Sequence, residues 1–320
     1  MTLTPRLIAM LTVPPLLWAG NAVVGRMTVP HVPPLQLNAV RWGLVLLVLL
    51  VLGRQAVATA TRRREILARW RPLALMGLLG VGAYNALQYL ALTTSTPINV
   101  TLIASSMPLW MLLVGGVFYA ERPRGPQVVG AALSLVGVAT VLSRGDLTAL
   151  AQVQFVRGDL YMLVAAASWA GYSWLLARPP ASMRGEDRPT IAGPNGLRRA
   201  WTWDEALLVQ TLFGVVWAGS AAGLEALASP RQPEWSLAVA AAVLYIVVGP
   251  SLIAYALWGQ AVAAVGPTTA GIFANLTPLF AALLSTALLG EAPHGYHAVA
   301  FALIVAGILV SSRRRAADAD

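Results

Sequence analysis

Apolar positions in this chain do not recur as stripes; they run on for about twenty residues and stop at arginine, proline or glycine. Ten such runs can be drawn, at 6–26, 35–53, 72–93, 97–119, 125–143, 158–177, 204–226, 236–259, 268–289 and 295–312. A bilayer core takes about 20 apolar residues per helix. The pattern therefore predicts an all-α integral membrane protein with ten transmembrane helices. Two joints are very short, Thr93–Pro97 and Ala264–Thr268. The first run, Leu7 to Val24, has no small-x-small cleavage pattern and is followed by nine more, so it is expected to be a retained helix rather than a signal peptide.

Composition sharpens this. Of the 320 residues, 58% are hydrophobic and 11% charged, against about a quarter charged in a soluble domain. The net charge of +9 is carried on the basic side entirely by arginine. With ten spans, seventeen arginines fall on one side, in Arg6, 54–71, 122–124, 178–199 and 313–315. Four fall on the other side, Arg26, Arg144, Arg157 and Arg231, and Arg41 lies inside a span. That asymmetry is the positive-inside signature, not a nucleic-acid surface, and it predicts both termini in the cytoplasm. With no cysteine, disulfides and thiolate chemistry are excluded.

The chain also repeats itself. At an offset of 170 positions Pro97 meets Pro267, Ala104 meets Ala274, Pro108 meets Pro278, Glu121 meets Glu291, Pro123 meets Pro293, Gly125 meets Gly295 and Gly137 meets Gly307. Trp18-Ala19-Gly20 recurs as Trp169-Ala170-Gly171, at an offset of 151. The two offsets differ by about the size of the Pro-, Gly- and Arg-rich stretch 178–203, read as a flexible cytoplasmic linker. Two five-helix repeats follow, 1–150 and 151–320. Five is odd, so the second repeat enters the membrane from the opposite side, the inverted arrangement of many secondary transporters.

The stretches LLWAGNAVVGR, LNAVRW, PINVTLIASSMPLWMLLVGGVFYAERP and PTTAGIFANLTPLFAALLSTALLGEAP resemble the drug/metabolite transporter superfamily. More narrowly they resemble its EamA-type ten-helix exporters, and within these the aromatic amino-acid exporters. The paired Pro…Pro…Glu segments are the most specific part. The resemblance implies a bacterial inner-membrane protein with a central substrate cavity and alternating access.

Polar and aromatic residues within the spans are the candidates for lining that cavity. Trp18 and Asn21 share a helix face, as do Tyr84 and Gln88, Trp169 and Tyr172, and Tyr255 and Trp258; Trp110 and Asn275 lie on the paired proline-bearing spans. Amides are expensive in hydrocarbon and are expected to point inward. Aromatic walls with amides and phenols suit a small amphiphilic solute such as an amino acid. The competing reading is that these groups bond neighbouring helices. Pro108 and Pro278 are expected to break their helices near mid-span, and Pro97 and Pro267 to mark gates at the two short joints. Arg41 is read first as a snorkelling or structurally paired cation, and second as a counter-charge for a substrate carboxylate.

No carboxylate lies at mid-membrane; Asp159 is read as a helix N-cap, and Glu225 as sitting near a span end. Downhill transport is the simplest expectation. His294 and His297 lack a third ligand, so no metal is expected, and no phosphate loop is present to bind nucleotide. The sequence thus points to a cofactor-free exporter of amino acids or related metabolites, with lipid and a small molecule as partners, acting as a monomer or homodimer. Drug efflux and sugar-phosphate exchange are alternatives within transport. An intramembrane enzyme would need a convergent catalytic set that is not found.

Overall fold

The computed structural model describes residues 4–95, 100, 103–152, 156–192, 198–289 and 294–311. Among the described residues six helices are long and apolar enough to cross a bilayer: α1 (Pro5–Thr28), α2 (Pro34–Leu52), α4 (Trp70–Thr94), α7 (Arg157–Ala177), α8 (Trp203–Ala228) and α9 (Leu237–Val265). Between and after them come α3 (Ala60–Ala68), α5 (Met107–Tyr119), α6 (Gly125–Leu142), α10 (Pro267–Ala274), α11 (Leu276–Leu289) and α12 (Gly295–Ser311). Every apolar run read from the sequence overlaps one of these helices, and the chain is a multi-pass membrane protein. Pro97 and Glu291 lie outside the described residues.

The helix ends follow from local chemistry. Thr4 caps α1 and Thr59 caps α3, each accepting a bond from the first-turn backbone. Glu205 closes a capping box with Thr202 at the start of α8 and is bound by Arg199 through two 2.7 Å contacts. Glu225, near the end of α8, accepts from the first backbone donors of α2, Leu35 at 3.0 Å and Gln36 at 2.9 Å. Asp159 departs from its expected N-cap role. It is the third residue of α7, reaching back to the Val156 amide and across to Ser95.

The stretch 178–203 is more ordered than expected of a flexible linker. It holds a two-stranded antiparallel hairpin, Thr190–Ala192 with Arg198–Ala200, and Arg69 donates to the carbonyls of Ser182 and Asp187. The spans of Pro108 and Pro278 do break near the middle, as expected, but each proline sits just after its break. Pro108 and Pro278 do not kink a helix from within; they lie in the first turns of α5 and α11, where a missing N–H costs nothing. The breaks themselves fall just before them, at Ser105–Ser106 and at Asn275.

Packing pairs helices from opposite halves. α2 lies on α8, α4 on α7, α6 on α12, and α1 on α9 and α11; α5 packs on α7 and α10. Glycine sets the closest crossings, as expected where lipid provides no hydrophobic drive between helices. A Cβ on Gly130 would stand 2.5 Å from the Gly307 carbonyl, and one on Gly307 would stand 2.6 Å from that of Gly130.

Candidate functional site

Two helices, one in each half of the chain, lose their regular ladder. Leu78–Ala83 in α4 and Val247–Ile253 in α9 wind as π-helix, at Gly80 and Gly82 in one and Gly249-Pro250 in the other. A π turn frees backbone carbonyls, and such turns gather at functional sites. Here other helices satisfy them: Tyr255 donates to Gly80 at 2.5 Å, Asn38 to Val81 at 3.1 Å, Ser168 to Leu79 at 2.8 Å and Trp18 to Pro250 at 3.4 Å.

The residues just beyond the π turns face a common centre. Trp169 has five ring neighbours, Tyr84 (4.8 Å between centroids), Trp18 and Tyr255 (both 5.1 Å), Tyr172 (5.2 Å) and Trp258 (5.8 Å). These rings come from α1, α4, α7 and α9, two helices of each half. Trp169 is 1% exposed and Trp258 0%. The tyrosine of Tyr172 lies so close to Gly80 that a Cβ there would come within 2.7 Å of its ring. The cluster is buried and packed ring against ring, not the open central cavity expected from the sequence.

A polar chain runs beside the rings. Asn21 donates to Gln88 (3.4 Å) and accepts from Tyr89 (3.2 Å), while Asn85 donates to Tyr255 (3.1 Å). Arg41 lies at its head. It donates to Ser251 (2.6 Å), Tyr89 (3.0 Å) and Asn21 (3.5 Å) and is 0% exposed. Neither preferred reading of Arg41 survives: it does not snorkel, and among the described residues no carboxylate pairs with it. Asn38, Trp42 and Ser251 thus join the centre, although the sequence did not nominate them, and Arg41 stands where the sequence placed it only as a second reading. On α2 the signal was the i, i+3, i+4 spacing of Asn38, Arg41 and Trp42 in a mostly aliphatic helix.

Two nominated residues stand apart. Trp110 is half-buried on α5 and makes no ring contact among the described residues. Asn275 is 0% exposed at the α10–α11 break, with neither amide atom partnered among the described residues.

The two ends of the bundle differ. At one end Arg26 donates to the Leu92 carbonyl (2.7 Å), Arg231 to that of Val29 (2.5 Å), Ser95 bonds Asp159, and His31 meets Glu234 at 3.3 Å. These contacts tie α1, α4, α7 and the start of α9 together. At the opposite end a cavity of about 350 Å³ opens between Glu121, Trp174, Arg178 and the Val262–Thr269 turn, which includes Pro267. Gly266 makes that turn with a φ of 80°, a value that favours glycine. Arg178 pairs with Glu121 at the mouth, and Trp174 stacks on Tyr119 at 4.9 Å. Val262 is one helical turn, about 6 Å, beyond Trp258, so the cavity stops just short of the ring cluster. Ser311 lines it too, and α1 begins at this same end.

The sequence profile of the EamA-like transporter family matches residues 6–143 and 197–313. The chain belongs to the EamA-like transporter family. Among EamA-like relatives, a protein named "Uncharacterized transporter" from Archaeoglobus fulgidus is 25% identical over 94% of this chain and 95% of its own length. A protein named "Aromatic amino acid exporter YddG" from Ancylobacter novellus is 27% identical, with 93% of each chain covered. A crystal structure 22% identical in sequence superimposes with a TM-score of 0.72 over 97% of this chain and 98% of its own, and shares the fold. This EamA-like protein is therefore a membrane transporter by family, and a small-molecule solute is the cargo such a family implies.

Proposed function

We propose that this EamA-like protein exports amino acids or closely related amphiphilic metabolites across a bacterial inner membrane, by alternating access between two inverted five-helix repeats, with both termini cytoplasmic. One observation carries the reading: aromatic and amide side chains from both halves converge between a cavity open at one end and an opposite end whose helices are tied by Arg26, Asp159 and Arg231. A solute with a ring or aliphatic body would stack among Trp18, Tyr84, Trp169, Tyr172, Tyr255 and Trp258, with Asn21 and Gln88 meeting its polar end.

The repeat reading draws support from packing. With the spans numbered in order, exchanging each of the first five for its counterpart five later turns the α4–α7 pair into α1–α9 and the α5–α7 pair into α1–α11. The α2–α8 and α6–α12 pairs map onto themselves. The two segments matched by the family profile, 6–143 and 197–313, fall one in each half. The aromatic amino acid exporter among the relatives supports the choice of cargo. Transport proceeds as the cavity end closes at Pro267 and Arg178–Glu121 while the end held by Arg26, Asp159 and Arg231 releases.

The test is a competition panel in proteoliposomes. One labelled aromatic amino acid is challenged with aromatic, aliphatic and charged amino acids and with non-amino-acid drugs and sugar phosphates, with and without a pH gradient. Selective competition by amino acids is the expected result; competition by drugs or sugar phosphates alone would replace the reading.

A further inference from the structure

Arg41 is a full positive charge buried at mid-bundle with only neutral partners, Ser251, Tyr89 and Asn21. A guanidinium keeps its charge in proteins and offers five N–H groups in a planar fork. These three bonds use Nε and Nη1; Nη2 is buried and has no partner among the described residues. An uncompensated buried cation is strongly unfavourable, so a site of this kind is built to receive an anion.

Its helix neighbours supply the complement. Asn38, Arg41 and Trp42 stand at i, i+3 and i+4 on one face of α2, and the guanidinium carbon lies 5.4 Å from the centre of the Trp42 ring. The Trp42 indole Nε1 is a second buried donor without a partner. Asn38 uses its amide nitrogen on the Val81 carbonyl, which leaves its Oδ1 a buried acceptor without a partner. Two unmet donors, one of them cationic, and one unmet acceptor therefore share a helix face. That set is the inverse of an α-amino acid's carboxylate and ammonium. The Trp42 ring lies 5.0 Å from that of Tyr255, itself 5.1 Å from Trp169, so the polar face is continuous with the ring cluster.

We propose that Arg41, with Trp42 Nε1 beside it and Asn38 Oδ1 one turn away, is the carboxylate-recognition point of the transporter, and that it restricts the cargo to solutes bearing a carboxylate. The inference rests on the transport reading and adds the group by which cargo is chosen. Arg41 Nη2 and the Trp42 indole take the carboxylate, Asn38 Oδ1 takes an ammonium where the solute has one, and the side chain enters the rings. Carboxylate-free drugs and amines are excluded because they leave the guanidinium uncompensated.

The test measures binding to the full chain in lipid nanodiscs by calorimetry. The probes are L-phenylalanine, 3-phenylpropionate, L-phenylalaninamide and phenethylamine, with L-leucine, L-glutamate and sodium chloride alongside. In the parent protein the two aromatic carboxylates bind at least about tenfold tighter than the amide and the amine, as charge-assisted bonds to a fork predict. Arg41→Gln abolishes that preference, and Arg41→Lys, which keeps the charge but not the fork, restores only part of it. The parent's own probe series needs no variant to fold. Equal affinity for all four aromatic probes in the parent overturns the proposal, as does a carboxylate preference that persists in Arg41→Gln. So does chloride that saturates the site and leaves carboxylates without effect. The two readings fail separately. If 3-phenylpropionate binds through Arg41 while no amino acid is transported, the cargo reading falls and this one stands. If amino acids are transported with no Arg41-dependent preference, the reverse holds.

Discussion

Trp169 is the residue whose loss tests the centre most directly. Its ring touches five others, at centroid distances from 4.8 to 5.8 Å, and is 1% exposed. Truncating a buried tryptophan to alanine costs about 3–5 kcal/mol, because the lost contacts are joined by a cavity that neighbours only partly refill. The ring pairs alone, at about 0.5–1.5 kcal/mol each beyond area, account for that range. Trp169→Ala is thus expected to lower stability by about 3–5 kcal/mol in reversible unfolding by SDS in mixed micelles, followed by far-ultraviolet circular dichroism. Trp169→Phe, which keeps one ring, should lose less than half as much. Coupling to Trp258 in a double-mutant cycle should fall near about 1 kcal/mol, the scale of one ring pair. In proteoliposomes the alanine variant should also flatten the competition profile, since the wall that sorts ring from aliphatic solutes is gone. A Trp169→Ala midpoint within about 1 kcal/mol of the parent would refute the packed centre, and an unchanged competition profile would refute its part in selection.

Two further outcomes follow from the packing. Gly307→Ala drives a methyl to 2.4 Å from Ser134 Oγ and 2.6 Å from the Gly130 carbonyl. It should strip the monodisperse peak from size-exclusion chromatography, whereas Gly219→Ala, with nothing within 4 Å, should leave it intact. Asp159→Ala removes both the bond to Ser95 and the backbone cap at Val156, worth about 1 kcal/mol for the cap alone. A cysteine placed at Gln88 in this cysteine-free chain should then react faster with an impermeant maleimide added from the Asp159 end; an unchanged rate would show that Asp159 does not restrict access from that end.

Much of the architecture was legible because lipid imposes a coarse rule: apolar length maps onto helix length, and arginine marks the ends. Run boundaries such as 158–177 therefore lie within a residue or two of the helix Arg157–Ala177. That Trp169 and Tyr172 share one helix face, and Tyr255 and Trp258 another, was legible from helical spacing alone, and all four rings reach the centre. The π turns were not, since a single extra residue leaves no trace in a run that is apolar on every side; Gly80 and Gly82 could be seen, but not their winding. Arg41 was misread for a related reason. Its distance from the start of α2 allows snorkelling, and only the fold shows Ser251 and Tyr89, from α9 and α4, already closed around it. Asn38 and Trp42 were missed because each looks like ordinary interhelical glue when taken singly.

The paired π turns have a mechanical consequence. Restoring either to an α ladder would remove one residue's worth of winding and turn everything beyond it by about 100°. That rotation would swing Tyr84 on α4, or Tyr255 and Trp258 on α9, out of register with the rings they now meet. The surplus residue is pinned by side chains: Asn38, Ser168 and Tyr255 reach onto α4 and Trp18 onto α9 from other helices, and Ser251 bonds Ile246 within α9 itself. Through Tyr255 and Ser168 on one side and Trp18 on the other, each half thus holds a catch on a screw thread in the other half.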